Sequence, residues 1–82
     1  MFHKIINVEA LENKILKIEF ENKKVKYYDM KKIIEKYNEF RELNNEDIFS
    51  IAKVDAGGYG IIWNDDLDIS GEEIYVNGVD SI

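Results

Sequence analysis

The chain of 82 residues has 17 acidic and 11 basic side chains, a net charge of −6, and neither cysteine nor proline. Its length fits one domain spanning residues 1–82, and an apolar fraction of 45% is enough for a hydrophobic core. The lack of cysteine excludes disulfides, thiolate zinc sites and cysteine nucleophiles. No signal peptide and no apolar run near the ~20 residues of a membrane span is visible, so we expect a cytoplasmic protein that does not bind membranes.

Charge is unevenly distributed along the chain. Residues 42–82 contain one base, Lys53, whereas lysines are scattered through the first half. Nucleic-acid binding needs a basic face that displaces counterions, so no direct binding of DNA or RNA is expected. Complementary fields speed the encounter of oppositely charged proteins, which favours a basic protein partner. Keeping a small domain soluble is the alternative use of the same charge.

Alternation of apolar and polar residues predicts three strands in a meander before residue 29. Short connections, one of them at residues 21–23, would join them as hairpins. The side chains expected on the inner face are Ile6, Val8 and Ala10, then Leu16, Ile18 and Phe20, then Val25 and Tyr27.

The period then changes to that of a helix. Met30, Ile33, Ile34 and Tyr37 fall at i, i+3, i+4 and i+7 and would form one apolar stripe against the sheet. Asp29 directly precedes them and is a good N-cap. We therefore predict the main helix at residues 30–37, packed on one face of the sheet.

The second half predicts a short helical turn at 46–50, a hairpin and a final helix. Residues 38–45 form a polar connection in which Phe40 and Leu43 are core candidates, and Asn44 or Asn45 would cap the turn. Residues 51–55 and 61–63 read as strands around a glycine-rich turn, the second strand being covered on both faces. We expect a loop at 65–69 and a helix from 71 to about 77, ending at Gly78.

Taken together, these elements predict an α+β fold. The sheet would be small, antiparallel or mixed, with about five strands in the order β-β-β-α-(short α)-β-β-α. Strands and helices are segregated rather than strictly alternating, which argues against a parallel α/β sheet.

Two patterns could indicate ligand binding. The glycines at 57–60 lack the spacing and the lysine of a phosphate loop, so a hairpin turn is the better interpretation. Asp66, Asp68 and Ser70, followed by Gly71, match the start of a calcium loop, but its twelfth position holds an asparagine instead of glutamate. Ser70 and Glu73 also have capping-box spacing, which we prefer to a metal site. No cofactor is expected.

No set of residues indicates catalysis. The single histidine, His3, lies near the start of the chain and is expected to be solvated, and Ser50, Ser70 and Ser81 have no recognisable base. Tyr59, Asp65 and Asp66 are the candidates for an interaction surface, whereas Trp63 is expected in the core.

The pattern as a whole resembles the bacterial family catalogued as domain of unknown function 2442, over approximately residues 4–78. Its first part has a strand ending near Val8, residues 16–20 as the second strand and the Tyr28-Asp29-Met30 transition, and its middle matches at Phe40, Leu43 and Ile48-Phe49. The most specific part is Trp63, an acidic loop with Asp68-Ile69, Ile74-Tyr75 and Gly78. Members typically have proline or glycine near the loop after the tryptophan, where this chain has residues 64–66, so loop shape does not carry over.

The resemblance implies a small prokaryotic protein with no catalytic residues to transfer, often encoded beside another short protein as in toxin–antitoxin-like pairs. We therefore expect a non-catalytic protein-interaction module, and specifically the acidic, neutralising half of such a pair. A ligand- or metal-sensing domain using residues 57–73, and an enzyme of unknown type, are the alternatives. Free edge strands of an open sheet would also allow a homodimer.

Overall fold

Period-two alternation in the first third of the chain builds a three-stranded antiparallel sheet. The structure, a computed structural model, describes residues 2–82. Neighbouring strands in the sheet are also neighbours in sequence, as the predicted meander requires. Its strands are β1 (Ile5–Leu11), β2 (Ile15–Phe20) and β3 (Val25–Asp29).

A second three-stranded antiparallel sheet follows the helical middle of the chain. Its strands are β4 (Lys53–Val54), β5 (Gly60–Asn64) and β6 (Leu67–Ser70). The helices are α1 (Lys31–Lys36), α2 (Glu46–Phe49) and α3 (Gly71–Asn77), with 3₁₀ segments at Glu12–Lys14 and Asn38–Asn44. No helix within residues 2–82 has the length and apolar character that crossing a bilayer requires.

The predicted α+β class is confirmed, with one more strand than expected and two sheets in place of one. The additional strand is β6, which falls in the segment predicted to be a loop. Leu67 and Ile69 are buried while Asp68 and Ser70 are exposed, which is the alternation of a half-buried strand. The acidic residues concealed this alternation because they suggested a turn.

A bulge in β1 decides which residues of that strand enter the core. Ile5 pairs with Phe20 but Asn7 pairs with Glu19, so Ile6 is an extra residue in the ladder. Ile5 is therefore buried, and Ile6, predicted to face inward, is 51% exposed. Val8 and Ala10 pack against the core as expected.

Strand β3 faces the other way from the prediction. Tyr28 pairs with Leu16 and Lys26 with Ile18, and partners in a ladder lie on the same face. Tyr28 is consequently buried, whereas Val25 and Tyr27, predicted to face inward, lie on the opposite face. The aliphatic part of the Lys26 side chain can lie on the inner face because its Nζ extends to the Asp80 carboxylate, 2.9 Å away.

The main helix is one residue shorter at each end than predicted. Met30 occupies the N-cap position, although the Asp29 carboxylate still accepts a hydrogen bond from the Lys31 N–H at 2.9 Å. Met30 and Ile34 lie in the core cluster that includes β2, which confirms the packing of this helix on the sheet. Tyr37 has extended backbone angles and is 44% exposed, because the helix ends before the last position of the stripe.

The connection between the two sheets supplies core residues much as predicted. Leu43 and Phe49 are buried, and Phe40 packs partly against the core. The Asn45 side chain caps α2 by accepting hydrogen bonds from the Asp47 and Ile48 N–H groups. Trp63 is buried, and its indole N–H donates to the Phe49 carbonyl at 3.1 Å.

The predicted hairpin at the glycines is confirmed, and it brings the sheets together. Gly58 has a φ of +75°, which favours glycine, and the Ile5 carbonyl leaves no space there for a side chain. The Ile5 N–H donates to the Gly58 carbonyl at 2.9 Å. At the far side of the first sheet, Tyr27 and Val79 exchange two backbone hydrogen bonds, so the segment after α3 covers part of the β3 edge.

The bulge makes Ile5 and Ile6 a matched pair of neighbouring isoleucines with opposite exposure. We predict that Ile5→Ala lowers the free energy of unfolding by about 2–5 kcal/mol, because it leaves a cavity in the core. Ile6→Ala is expected to change it by no more than about 0.5 kcal/mol, as for other exposed side chains. Urea unfolding followed by Trp63 fluorescence measures both. Equal losses in the two variants would show that the bulge is misplaced.

Candidate functional site

Tyr59 lies in the hairpin between β4 and β5 with its side chain 65% exposed. The Asp55 carboxylate stabilises the turn by accepting hydrogen bonds from the Gly57 and Tyr59 N–H groups. The Phe2 ring lies beside Tyr59 with 4.6 Å between ring centroids. This end of the second sheet therefore presents two exposed aromatic rings.

Asp65 and Asp66 lie at the opposite end of β5, in the turn that leads to β6. Five intervals of extended chain separate Tyr59 from the end of β5, which corresponds to about 17 Å. The three residues predicted to form an interaction surface are thus not brought together. They belong to an aromatic end and an acidic end of the same sheet.

The acidic end gains two carboxylates that the sequence analysis did not single out. Glu39 and Glu42, from the 3₁₀ segment, line a groove of about 400 Å³ with Asp65 and Asp66. The Asn64 amide holds the two segments together, since it donates to the Glu42 carboxylate at 2.8 Å while its oxygen accepts from the Asp66 N–H. We call the groove that these four carboxylates line the acidic groove.

The candidate calcium ligands do not curl around a point. Asp68 and Ser70 lie within β6 and Asp66 just before it, so alternate residues are spaced about 7 Å apart along an extended chain. The Ser70 hydroxyl caps α3 by accepting from the Glu72 and Glu73 N–H groups. Residues 2–82 contain no group of three or more His, Cys, Asp or Glu side chains arranged to hold a metal ion.

His3 has a defined place, contrary to the solvated position expected from the sequence. Its ring stacks on Tyr75 with 3.6 Å between centroids, and its Nδ1 contacts the Glu72 carboxylate at 2.8 Å. The His3 side chain is 20% exposed. The contact joins residues 69 positions apart, so no local sequence signal could have indicated it.

A second groove, of about 550 Å³, lies between α1 and β6. Lys32, Lys36 and Tyr37 line its helical side, and Asp68 and Ser70 line its strand side, over a floor that includes Ile69. Residues that are neighbours in sequence line different grooves. Phe40 and Asp68 line this one, whereas Glu39 and Leu67 line the acidic groove. The two grooves therefore follow one another along β6.

Tyr28 lies at the base of this second groove. Its hydroxyl donates to the Glu73 carboxylate at 2.8 Å, and the same carboxylate oxygen accepts from the Asn77 amide. Glu73 consequently binds these two groups, which is a different use from the reciprocal capping box suggested by its spacing. Burial and then the negative Glu73 raise the pKa of the Tyr28 hydroxyl well above its ordinary value.

The Tyr28–Glu73 contact makes stability depend on alkaline pH. Because the folded-state pKa is raised, the contribution of Tyr28 is complete below the ordinary tyrosine pKa of 10.0 and is lost as pH rises above it. We predict that Tyr28→Phe is less stable than the wild type at pH 8, by about 1.5–3 kcal/mol for a lost hydrogen bond to a charged group. This gap should narrow at pH 11.

Urea unfolding of both proteins at each pH measures the gap, with Tyr59→Phe as the control. The Tyr59 hydroxyl belongs to an exposed side chain, so its removal should change stability little at either pH. A Tyr28→Phe gap that is the same at pH 8 and pH 11 would contradict the assignment.

A protein-family model described as "Protein of unknown function (DUF2442)" matches residues 5–80. No curated protein and no solved structure matched the chain. The family match runs from the first residue of β1 to the segment beyond α3, and it confirms the resemblance found in the sequence. The chain therefore belongs to the DUF2442 family of proteins of unknown function.

Proposed function

We propose that the chain is a non-catalytic protein-interaction module whose acidic groove receives a basic segment of a partner protein. The observation that carries the proposal is the convergence of Glu39 and Glu42 with Asp65 and Asp66 from a distant part of the chain. Like charges brought together on a surface repel one another, and an incoming cationic segment relieves that repulsion.

The charge of the whole chain supports the same partner. Residues 42–82 hold ten of the 17 acidic side chains but a single base, Lys53. Such an asymmetric field raises the rate at which a positively charged protein meets the acidic end. The aromatic end, with Phe2 and Tyr59, would add apolar contact area if the partner is large enough to reach it.

The residues best suited to catalysis are occupied in local structure, which supports a non-catalytic role. His3 contacts Glu72 and stacks on Tyr75. The Ser50 hydroxyl donates to the Asp47 carbonyl at 3.0 Å, and the Ser70 hydroxyl caps α3. None of these contacts pairs a serine with the histidine as nucleophile and base.

Within this proposal the module is the acidic, neutralising half of a two-component pair that acts in the bacterial cytoplasm. The support is the family resemblance, together with a surface that can mask a basic site on another protein. The first partner to test is the product of the neighbouring gene, co-expressed with the tagged chain.

We predict that the co-expressed partner is retained at about 50 mM salt and released as salt screens the charges. Neutralising the acidic groove with Glu39→Gln, Glu42→Gln, Asp65→Asn and Asp66→Asn should raise the dissociation constant by at least about tenfold. Isothermal titration calorimetry with the purified partner measures this change.

The matched control neutralises four exposed carboxylates of the first sheet and its connections, by Glu9→Gln, Glu12→Gln, Glu19→Gln and Glu21→Gln. Both quadruple variants have the same net charge, so a nonspecific charge effect would weaken binding equally. Equal weakening, or no retention of the partner at low salt, would contradict the proposal.

A further inference from the structure

One edge of β6 has backbone groups that pair with no other strand in the part of the chain that the structure describes. The Asp55 N–H donates to the Gly60 carbonyl, so the backbone groups of Gly60 face β4, and those of Ile61 face β6 and its partner Ile69. Backbone groups alternate in direction along a strand. The N–H groups of Asp68 and Ser70 and the Asp68 carbonyl therefore point away from β5, into the second groove.

These groups form no backbone hydrogen bond to another segment within residues 2–82. Asp68 and Ser70 are both exposed residues, whereas the intervening Ile69 is buried. An exposed edge with unpaired donors and an acceptor can accept an added strand, which is a recurrent mode of peptide recognition.

The groove along this edge has charged poles of opposite sign. At the Leu67 end lie the four carboxylates of the acidic groove, and beyond them Lys32 and Lys36, one helical turn apart on α1, line the second groove. Glu73 also lines the lysine end, but its carboxylate is engaged by Tyr28 and Asn77. Between the poles the floor is apolar, with Phe40 and Ile69, and the Asp68 side chain lines the strand side.

We propose that an extended partner segment binds as a fourth strand on the free edge of β6, with basic residues at the acidic groove and acidic residues at Lys32 and Lys36. This inference rests on the proposed function and specifies the form of its partner. Antiparallel pairs outnumber parallel ones. The bound segment therefore runs against β6, with its acidic residues first in sequence, apolar residues in the middle and basic residues last.

The probe is a blocked synthetic peptide of three glutamates, then alternating valine and threonine, then three lysines. Its comparison peptide has the two charged ends exchanged. The comparison peptide would place like charges together at both poles, so it should bind at least about tenfold more weakly than the first peptide. Binding is followed by two-dimensional NMR of the isotopically labelled full chain.

Amide hydrogen exchange reports the added strand directly. On binding the first peptide, exchange at the Asp68 and Ser70 amides should slow by tenfold or more, while the Ile69 amide, already facing β5, changes less. Asp68→Pro removes the outward N–H without removing a bond to β5, and Asp68→Ala keeps that N–H. The proline variant alone should bind about fivefold more weakly or worse.

Unfolding midpoints establish that both Asp68 variants are folded before they are compared. Equal binding of the two peptides, unprotected Asp68 and Ser70 amides in the complex, or equal binding by the proline and alanine variants would overturn the strand-addition proposal. If the amides stay unprotected while neutralising the acidic groove still weakens the natural partner, only this inference fails. If that neutralisation also has no effect, the proposed function fails with it.

Discussion

The hydrogen bond between the Ile5 N–H and the Gly58 carbonyl is the constraint on which the arrangement of the two sheets depends. It forms where β1 begins, and the Ile5 side chain enters the shared core at the same residue. The adjoining residues fasten other elements, since His3 contacts Glu72 of α3 and the Lys4 carbonyl accepts from the Glu21 N–H. Four consecutive residues, 2–5, thus hold the hairpin of the second sheet, the turn after β2 and the last helix in fixed positions.

This arrangement explains why the two grooves exist. The sheets meet through β1 and the β4–β5 hairpin, and this contact leaves the edges of β3 and β6 on the far sides of their sheets. The Asn38–Asn44 segment and α1 lie beside β6 without pairing with it, which creates the space lined by Lys36 and Asp68. The proposed binding region is therefore a consequence of how the first strand joins the halves of the core.

The elements that depend on local periodicity could be read from the sequence. The stripe at Met30 and Ile34, the Asn45 cap and the alternation in β2 all predicted their structures. The errors arise where the inward–outward alternation of a strand shifts by one residue. The bulge at Ile6 turns its side chain outward, and the register of β3 buries Tyr28 in place of Tyr27. Residue type could not reveal either shift, because the buried and the outward-facing residue are identical in each case: isoleucine at 5 and 6, tyrosine at 27 and 28.

The candidate site was predictable only in part. Asp65 and Asp66 were identified because they are adjacent in sequence, but Glu39 and Glu42 join them only through the fold, across more than 20 positions. His3 and Glu72 are a further example. Long-range clusters of charge follow from tertiary packing, so a single sequence can indicate that such a surface exists without giving its members.

The bridge between Tyr27 and Val79 limits how this fold can assemble. It closes part of the β3 edge with the chain's own residues, while β1 lies beside β4 and the β6 edge stays open. The β6 edge has no such bridge, whereas the β3 edge is open only where the segment after α3 does not cover it. Two copies joined through their β6 edges would make a closed pair, because each copy uses that edge once.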